Sequence, residues 1–260
     1  MDKIRIAFAG DRWIAVEVLR YILSKGVSPE ALILPASSVA SHSPALRSLC
    51  PQLPEQRVFT GKSVTTPHAL AELRGLHLDY LISVHYPTLF PQAVLDVASV
   101  APLNLLPAYL PFSRCWHKAA WAMLNRTPYG ATLHVMTSRP DAGDIVHQRE
   151  LEILPEDTAH TAYSRAVQLE LVVFQEAWTS LCARAFRRTP QDEKVATSHR
   201  ASDIRETGVQ LLEPNAHMVA GDVLNRLRAL TTNRTEEAAY FVEAGCRYRV
   251  QVHITPEVAD

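Results

Sequence analysis

The chain has 260 residues, with 26 Lys and Arg against 27 Asp and Glu, and a formal net charge of −1. It therefore lacks the basic excess that draws proteins to nucleic acid, and we expect no nucleic-acid partner. Apolar residues make up 47% of the chain, but no apolar run reaches the roughly 18 to 20 residues of a membrane-spanning helix. We expect a soluble globular protein with no membrane partner.

The first two thirds of the chain alternate strand-like and helix-like segments. "IRIAFAG" (4–10) is a short apolar run that ends in Gly, and the residues 13–26 that follow place apolar side chains at helical spacing. Further strands are predicted at 31–35, at 80–84 and around "APLNLLP", with helices at "TPHALAELRG" and "PQAVLDV". Such alternation is typical of an α/β fold with a mostly parallel, doubly wound, Rossmann-like sheet.

The pattern then changes. The residues 116–125 predict a helix, 129–137 and 144–153 a pair of strands joined by "SRPDAGD", and 157–186 a long helix capped by Asp157 or Thr158. A polar stretch begins near Pro190 and leads into one helix and two strands around Gly245. We predict a large domain over 1–189 and a small α+β region over 190–260.

Cofactor and metal signatures are weak in this chain. The turn "AFAGDRW" contains a single Gly instead of the GxGxxG pattern, which argues against a dinucleotide site. The histidines show no HExxH spacing, and the four cysteines form no CxxC pair, so we expect no metal. The spread cysteines and an N-terminus without a long apolar segment favour a cytoplasmic protein.

Two polar residues stand out at the ends of predicted strands. Asn104 ends a buried strand before a Pro-rich loop, and Asp141 lies in the loop between two strands. Ligands collect outside the carboxyl ends of strands in open α/β sheets, so we expect both side chains to converge there.

These segments together resemble the folate-dependent formyltransferase family, which includes methionyl-tRNA, glycinamide ribonucleotide and sugar N-formyltransferases. The resemblance rests on the order and spacing of "IAFAGDRWIAVEVL", "LISVHYPTLFP", "NLLPAYLP", "WHKAAWAMLNRTPYGATLH" and "DAGDI", and on a C-terminal region similar to that of the sugar enzymes. It implies transfer of a formyl group from N10-formyltetrahydrofolate, the co-substrate, to a small-molecule amine, in one-carbon metabolism or biosynthesis.

The resemblance also implies a catalytic set of Asn, His and Asp. Asn104 and Asp141 match two of these, but Leu106 occupies the His position of the Asn-x-His-Pro motif. Leucine can neither accept a proton nor donate a hydrogen bond. His134 or His85 could act as a displaced base, or either could be a structural or substrate-contacting histidine. A second departure is Cys115, where the family has Gly.

Binding residues follow from the same resemblance. The cofactor loops correspond to Tyr86, Pro87, Thr88, Leu89 and Phe90, and to the loop with Asp141 and Asp144. Acceptor or phosphate contacts are expected from the following residues: Asp11, Arg12, Trp13, His85, Trp116 and His117.

Two hypotheses remain open at this stage. The first is a working N-formyltransferase that acts on an amino sugar nucleotide or an amino-acid-like metabolite. The second is a degenerate or repurposed protein that binds folate or an amine without formyl transfer. By family analogy we also expect a homodimer formed through the C-terminal strands.

Overall fold

The computed structural model describes residues 3–206 and 208–257. The strands are β1 Ile6–Gly10, β2 Ala31–Leu34, β3 Val58–Thr60, β4 Leu78–Val84, β5 Ala98–Leu106, β6 Arg114–Cys115, β7 Gly130–Val135, β8 Ile145–Glu150, β9 Ser198–His199, β10 Ala239–Glu243 and β11 Cys246–Val250. The α-helices are α1 Arg12–Ser24, α2 Ser43–Leu49, α3 Pro67–Gly75, α4 Gln92–Leu95, α5 Lys118–Asn125, α6 Ala159–Cys182, α7 Asp203–Glu206 and α8 Ala220–Ala229.

The large sheet has the strand order β3-β2-β1-β4-β5-β7-β8. Strands β1 to β5 pair in parallel, and β7 runs antiparallel to β5. The chain order reverses between β1 and β4, which is the arrangement of doubly wound folds. The prediction of a mostly parallel, doubly wound α/β sheet is confirmed.

Helices cover both faces of the parallel strands. On one face, Leu81 of β4 packs in a buried cluster with Leu73 of α3 and Leu95 of α4. On the other, the Tyr80 hydroxyl donates a 2.8 Å hydrogen bond to the carbonyl of Leu181 in α6. Successive side chains of a strand point to opposite faces of the sheet. Residues of β4 two positions from Leu81 therefore face α3 and α4, and residues two positions from Tyr80 face α6.

Most elements match their predictions, with local differences at the ends. The predicted helix at "PQAVLDV" is only the single turn Gln92–Leu95. The long helix ends at Cys182 rather than near residue 186, because Arg184 adopts a left-handed backbone with φ 53° that no α-helix can continue. At its other end the predicted cap is confirmed, since the Thr158 hydroxyl accepts a hydrogen bond from the Thr161 N–H.

The chain forms two compact units, each assembled from separate segments. Unit 1 comprises the residues up to Leu106 together with Ala131–Gln148 and Gln168–Gln191, and unit 2 comprises the rest. The core of unit 2 joins residues of α5, α6 and α8 with Ile204 and Ala239. The predicted boundary between 189 and 190 stays a prediction.

The C-terminal part of unit 2 is small and mixed. Strands β10 and β11 form an antiparallel hairpin, and Gly245 in its turn takes φ 78°, a conformation that glycine adopts without strain. Helix α8 precedes the hairpin and packs against α5. The prediction of a small α+β C-terminal region is confirmed.

Within the described part of the chain, no helix is both long enough and apolar enough to cross a bilayer.

Candidate active site

Three polar residues form a row across neighbouring strands of unit 1. Ser83 of β4 pairs with Asn104 of β5, and Asn104 pairs with His134 of β7. Directly paired residues project their side chains to the same face of a sheet. Ser83 is two residues after Leu81 in β4 and points to the same face, so the row lies on the face that α3 and α4 cover.

The contacts within this row indicate which tautomer a neutral His134 ring adopts. Its Nδ1 lies 2.9 Å from the carbonyl oxygen of Val135, and its Nε2 lies 3.3 Å from Nδ2 of Asn104. A carbonyl can only accept, so Nδ1 carries the hydrogen of the neutral ring and Nε2 presents a lone pair. Asn104 donates to that lone pair, and Asp141 Oδ1 lies 3.8 Å from the same Nε2.

The loop that carries Asp141 is tightly built. A Cβ on Gly143 would lie 1.9 Å from the carbonyl oxygen of Val135, so only glycine fits there. The Gln191 side-chain amide donates to the carbonyls of Asp141 and Gly143, at 2.9 and 2.6 Å. Asp141 itself adopts φ 54°, a left-handed conformation that Asp tolerates better than most residues. These constraints hold the carboxylate beside His134.

The position of this site differs from the sequence expectation in one respect. Both segments were expected outside the carboxyl ends of the strands. Because β7 is antiparallel to β5, with Val135 opposite Leu103, the Asp141 loop follows the end of an antiparallel strand and not the carboxyl end of a parallel one. Asn104, His134 and Asp141 therefore meet over one face of the sheet.

A cavity of about 140 Å³ lies over this row. Tyr86 and Phe90 stack in one wall with ring centroids 4.8 Å apart. The lining residues are Ser83, Tyr86, Thr88, Leu89, Phe90, Leu95, Asn104, His134, Met136, Thr137, Ser138, Pro140 and Asp141. The cavity thus combines apolar and aromatic walls with a polar floor, as small-molecule sites do.

Leu106 lies one step further along the same face. It is two residues after Asn104 in β5, pairs with Thr132 of β7 and is only 4% exposed. Two residues of a strand span about 6.6 Å. The Leu106–Thr132 pair therefore forms the row next to Asn104 and His134, and a histidine at position 106 would lie beside the floor of the cavity.

Comparison with known proteins places the chain in a family. The family model described as formyl transferase matches residues 30–178, which is more than half of the chain, and the model described as the N-formyltransferase dimerization C-terminal domain matches residues 206–256. The chain belongs to the formyl transferase family.

Individual relatives agree with this assignment. A methionyl-tRNA formyltransferase of Lactobacillus johnsonii is 31% identical over 195 residues, which cover 74% of this chain and 59% of that protein, so the match spans less than two thirds of the relative. A dTDP-4-amino-4,6-dideoxyglucose formyltransferase of Mycobacterium bovis is 28% identical over 181 residues, covering 69% of this chain and 74% of that protein.

A solved structure supports the fold. An N-formyltransferase from Helicobacter canadensis, in complex with folinic acid and dTDP-3-aminofucose, superposes with a TM-score of 0.69 at 18% identity, covering 93% of this chain and 85% of the other. At this identity the likeness concerns the formyl transferase fold alone.

Most of the residues that the formyl transferase resemblance assigned to cofactor binding line the cavity. Tyr86, Thr88, Leu89 and Phe90 do so, as does Asp141. Two others stand apart. Pro87 is exposed, and among the described residues neither it nor Asp144 lines the cavity. The Asp144 carbonyl accepts a 2.9 Å hydrogen bond from the Val135 N–H.

His85 points away from the row. Its Nε2 lies 2.9 and 3.0 Å from the carboxylate oxygens of Glu170, which belongs to α6 and is fully buried. Helix α6 covers the face opposite Asn104. Of the two histidines considered as a displaced base, the formyl transferase fold therefore brings His134, and not His85, to Asn104 and Asp141.

The turn after β1 is held by Asp11. This carboxylate is 1% exposed and accepts hydrogen bonds from the N–H groups of Ser41 and His42 and from the Ser41 hydroxyl. Burial raises the pKa of Asp11, but these hydrogen bonds together lower it by more than burial raises it. The pKa of Asp11 therefore lies below the ordinary value. Arg12 and Trp13 follow with exposed side chains.

Trp116 and His117 belong to unit 2. Trp116 is exposed, whereas the His117 ring is mostly buried, with Nδ1 3.6 Å from Glu237 Oε1 and Nε2 3.2 Å from the Ala201 carbonyl. Cys115 has φ 72°, which confirms that this position suits glycine.

Two polar residues near the site were not predicted. Ser83 lines the cavity beside Asn104, and Glu170 anchors His85. Each carries a sequence signal, because Ser83 interrupts the apolar strand "YLISV" and Glu170 interrupts the apolar helix segment "LELVV". A polar residue within a buried apolar run requires a partner, which could have marked both positions.

Proposed function

We propose that the chain transfers the formyl group of N10-formyltetrahydrofolate to the amine of a nucleotide-linked amino sugar. The observation that carries the proposal is the Asn104–His134–Asp141 row on the floor of the cavity. The amino sugar is favoured because relatives of the family act on dTDP-amino sugars by name. A net charge of −1 favours a small acceptor over tRNA.

The cavity suits the formyl donor. Its stacked aromatic wall and apolar side chains would hold a flat ring system, while the loop 138–144 offers backbone groups along one edge. N10-formyltetrahydrofolate would supply the formyl carbon that the amine attacks. The new C–N bond sends the carbonyl electron pair onto oxygen, and that pair returns when the bond from carbon to N10 breaks.

His134 is proposed as the base. The hydrogen bond from Nδ1 to Val135 leaves the lone pair on Nε2, and the amine would replace the Asn104 N–H at that lone pair and give it the proton that it loses. The same nitrogen can then return the proton to N10 as the donor leaves. No net proton is gained or lost by the protein.

Asn104 and Asp141 support this proton transfer. Asn104 Nδ2 carries two hydrogens, so it can hold His134 before the amine binds and donate to the oxygen that becomes negative. Asp141, at 3.8 Å from Nε2, stabilises the imidazolium that exists between the two proton transfers.

The acceptor residues fall into two groups. We propose that Arg12 and Trp13 contact the acceptor, because their side chains are exposed at the switch point between β1 and β4. Asp11 is engaged by Ser41 in the turn after β1, and His85 is engaged by Glu170 of α6, so we propose a structural role for both instead of a contact with the acceptor. Contacts of Trp116 and His117 with the acceptor stay a proposal.

The second candidate function follows from Leu106. A buried leucine at the family's His position also fits a protein that binds folate or an amine without formyl transfer. The two functions differ in one measurable property, which is turnover by the natural chain.

The test is a transfer assay with purified protein and N10-formyltetrahydrofolate. The acceptors are dTDP-4-amino-4,6-dideoxyglucose, dTDP-3-aminofucose and, for contrast, methionyl-tRNA, with products identified by mass spectrometry. We expect turnover with an amino sugar nucleotide. His134→Gln should lower kcat by about 10²- to 10⁴-fold, the usual effect of losing a general base. The control is His68→Gln, at an exposed histidine of α3, and it should leave kcat unchanged.

Leu106→His separates the two functions. If the natural chain shows no turnover but binds folinic acid, and Leu106→His gains turnover, the binding function is correct and the proposal of formyl transfer by the natural chain is wrong. If neither protein binds folinic acid, both proposals fail.

A further inference from the structure

Ser83 places a hydroxyl in the floor of the cavity. It is 4% exposed and sits in β4 directly opposite Asn104, in a strand that is buried along its whole length. Neighbouring strands lie about 4.8 Å apart, and paired side chains share a face. The Ser83 hydroxyl and the Asn104 amide are therefore adjacent polar groups that line the same cavity.

The described part of the protein offers this hydroxyl no hydrogen-bond partner. No residue among 3–206 and 208–257 forms a hydrogen bond with it. The Ser83 Oγ is not one of the fully enclosed side-chain oxygens that lack a partner, and it lines the cavity, so it is open to an atom from the cavity. An unpaired hydroxyl that lines a cavity is thus arranged for an atom of a ligand.

We propose that Ser83 donates a hydrogen bond to the formyl oxygen of the donor, jointly with Asn104, as that oxygen becomes negative. This inference rests on the proposed formyl transfer. One hydrogen of Asn104 Nδ2 is directed at His134, and the other can reach the same oxygen that Ser83 contacts from the neighbouring strand. Two donors on one face form an oxyanion hole. The hydroxyl keeps its proton throughout, so the step changes only where the carbonyl electron pair resides.

The position of Leu106 explains why a second donor is needed. A histidine at position 106 could donate to the oxyanion, and leucine cannot. Ser83 lies on the same face as Leu106, on the other side of β5 from His134, and supplies a donor that this chain otherwise lacks there. The contribution of Ser83 should therefore depend on the residue at position 106.

The experiment compares Ser83→Ala, Ser83→Cys and Ser83→Thr with the natural chain in the transfer assay. Loss of one oxyanion donor lowers kcat by about 10²- to 10³-fold, so we expect a fall of this order for Ser83→Ala with the KM of N10-formyltetrahydrofolate nearly unchanged. Ser83→Cys has a weaker donor, so its kcat should lie between that of Ser83→Ala and that of the natural chain. Ser83→Thr keeps a hydroxyl and should keep most of the natural kcat. The control Ser48→Ala, on an exposed face of α2, should match the natural chain.

Two further measurements exclude a structural role. Thermal unfolding of Ser83→Ala without ligand should not occur at a lower temperature, because the hydroxyl has no partner in the protein. In the Leu106→His background, Ser83→Ala should cost a smaller factor in kcat, because the imidazole provides a donor.

The outcomes are distinct from those of the proposed function. If the natural chain turns over and Ser83→Ala keeps its kcat within about twofold, the inference is wrong and formyl transfer stands. If Ser83→Ala instead raises KM and weakens folinic acid binding with kcat intact, Ser83 is a binding contact and the inference is also wrong. If the natural chain does not turn over, the proposed function fails and Ser83 has no such reaction to assist.

Discussion

At the scale of single residues, Leu106 and His134 matter most for the proposed chemistry. Leu106 stands where the family resemblance predicts an acid–base His, and the structure brings a different histidine, His134, to within 3.3 Å of Asn104. The two positions lie in neighbouring rows of the same sheet face. This geometry supports the proposed role of His134 as the base.

Cys115 yields a prediction about stability. Its backbone has φ 72°, a region that costs a residue with a Cβ about 1 kcal/mol and that glycine enters freely. Cys115→Gly should raise the free energy of unfolding by about 0.5 to 1 kcal/mol, measured by urea unfolding.

Cys115→Ala is the matched control. It removes the thiol but keeps the Cβ and the strain, so it should bring no gain. Equal stabilisation by both variants would show that the thiol, and not the backbone, is the unfavourable element.

At the scale of elements, the end of α6 is tied to β4 through Asp79 and Arg184. Arg184 Nε and Nη2 donate to the Asp79 carboxylate at 2.6 and 2.7 Å, and the Arg5 N–H donates at 2.7 Å. Burial raises the pKa of Asp79, but these contacts lower it by more, so the pKa lies below its ordinary value of 3.8.

This pair predicts a pH dependence. A carboxyl with a lowered pKa in the folded state stabilises the fold above its ordinary pKa, and that contribution is lost as the pH falls through the folded-state pKa. At pH 7, Asp79→Asn should therefore be less stable than the natural chain by about 2 kcal/mol, the range of charged hydrogen bonds. The difference should shrink below pH 4, measured by urea unfolding.

Asp96→Asn, at an exposed position after α4, is the control and should change stability by less than about 0.5 kcal/mol. A stability difference for Asp79→Asn that stayed constant between pH 7 and pH 3 would contradict the assignment.

At the scale of the whole molecule, we propose a homodimer formed through the C-terminal hairpin. Residues 206–256 match a family named for dimerization. On the hairpin, Phe241 and Tyr248 stack 5.2 Å apart, and Tyr248 is 47% exposed. Exposed aromatic surface of this kind is typical of protein interfaces.

Sedimentation analysis tests this proposal. The natural chain should sediment at twice its mass of 28.9 kDa, and Tyr248→Glu should shift it towards monomer, since an unpaired charge in an interface weakens binding. Val172→Glu, at an exposed position of α6 in unit 1, should leave the mass unchanged. A monomeric natural chain would rule out the dimer.

The sequence by itself determined the alternation of strands and helices, the sheet type and the identity of Asn104, His134 and Asp141 as candidates. These follow from local periodicity, turn residues and a motif read in order. Only the tertiary structure decided which histidine meets Asn104, because His85 and His134 both lie near strand ends in the sequence. The choice depends on strand register and on the antiparallel direction of β7, which pair Asn104 with His134 while His85 turns to Glu170. Ser83 was not predicted for the same reason. The role of a single polar residue in a buried strand depends on the side chain next to it in the sheet, and only the strand register shows that this is Asn104.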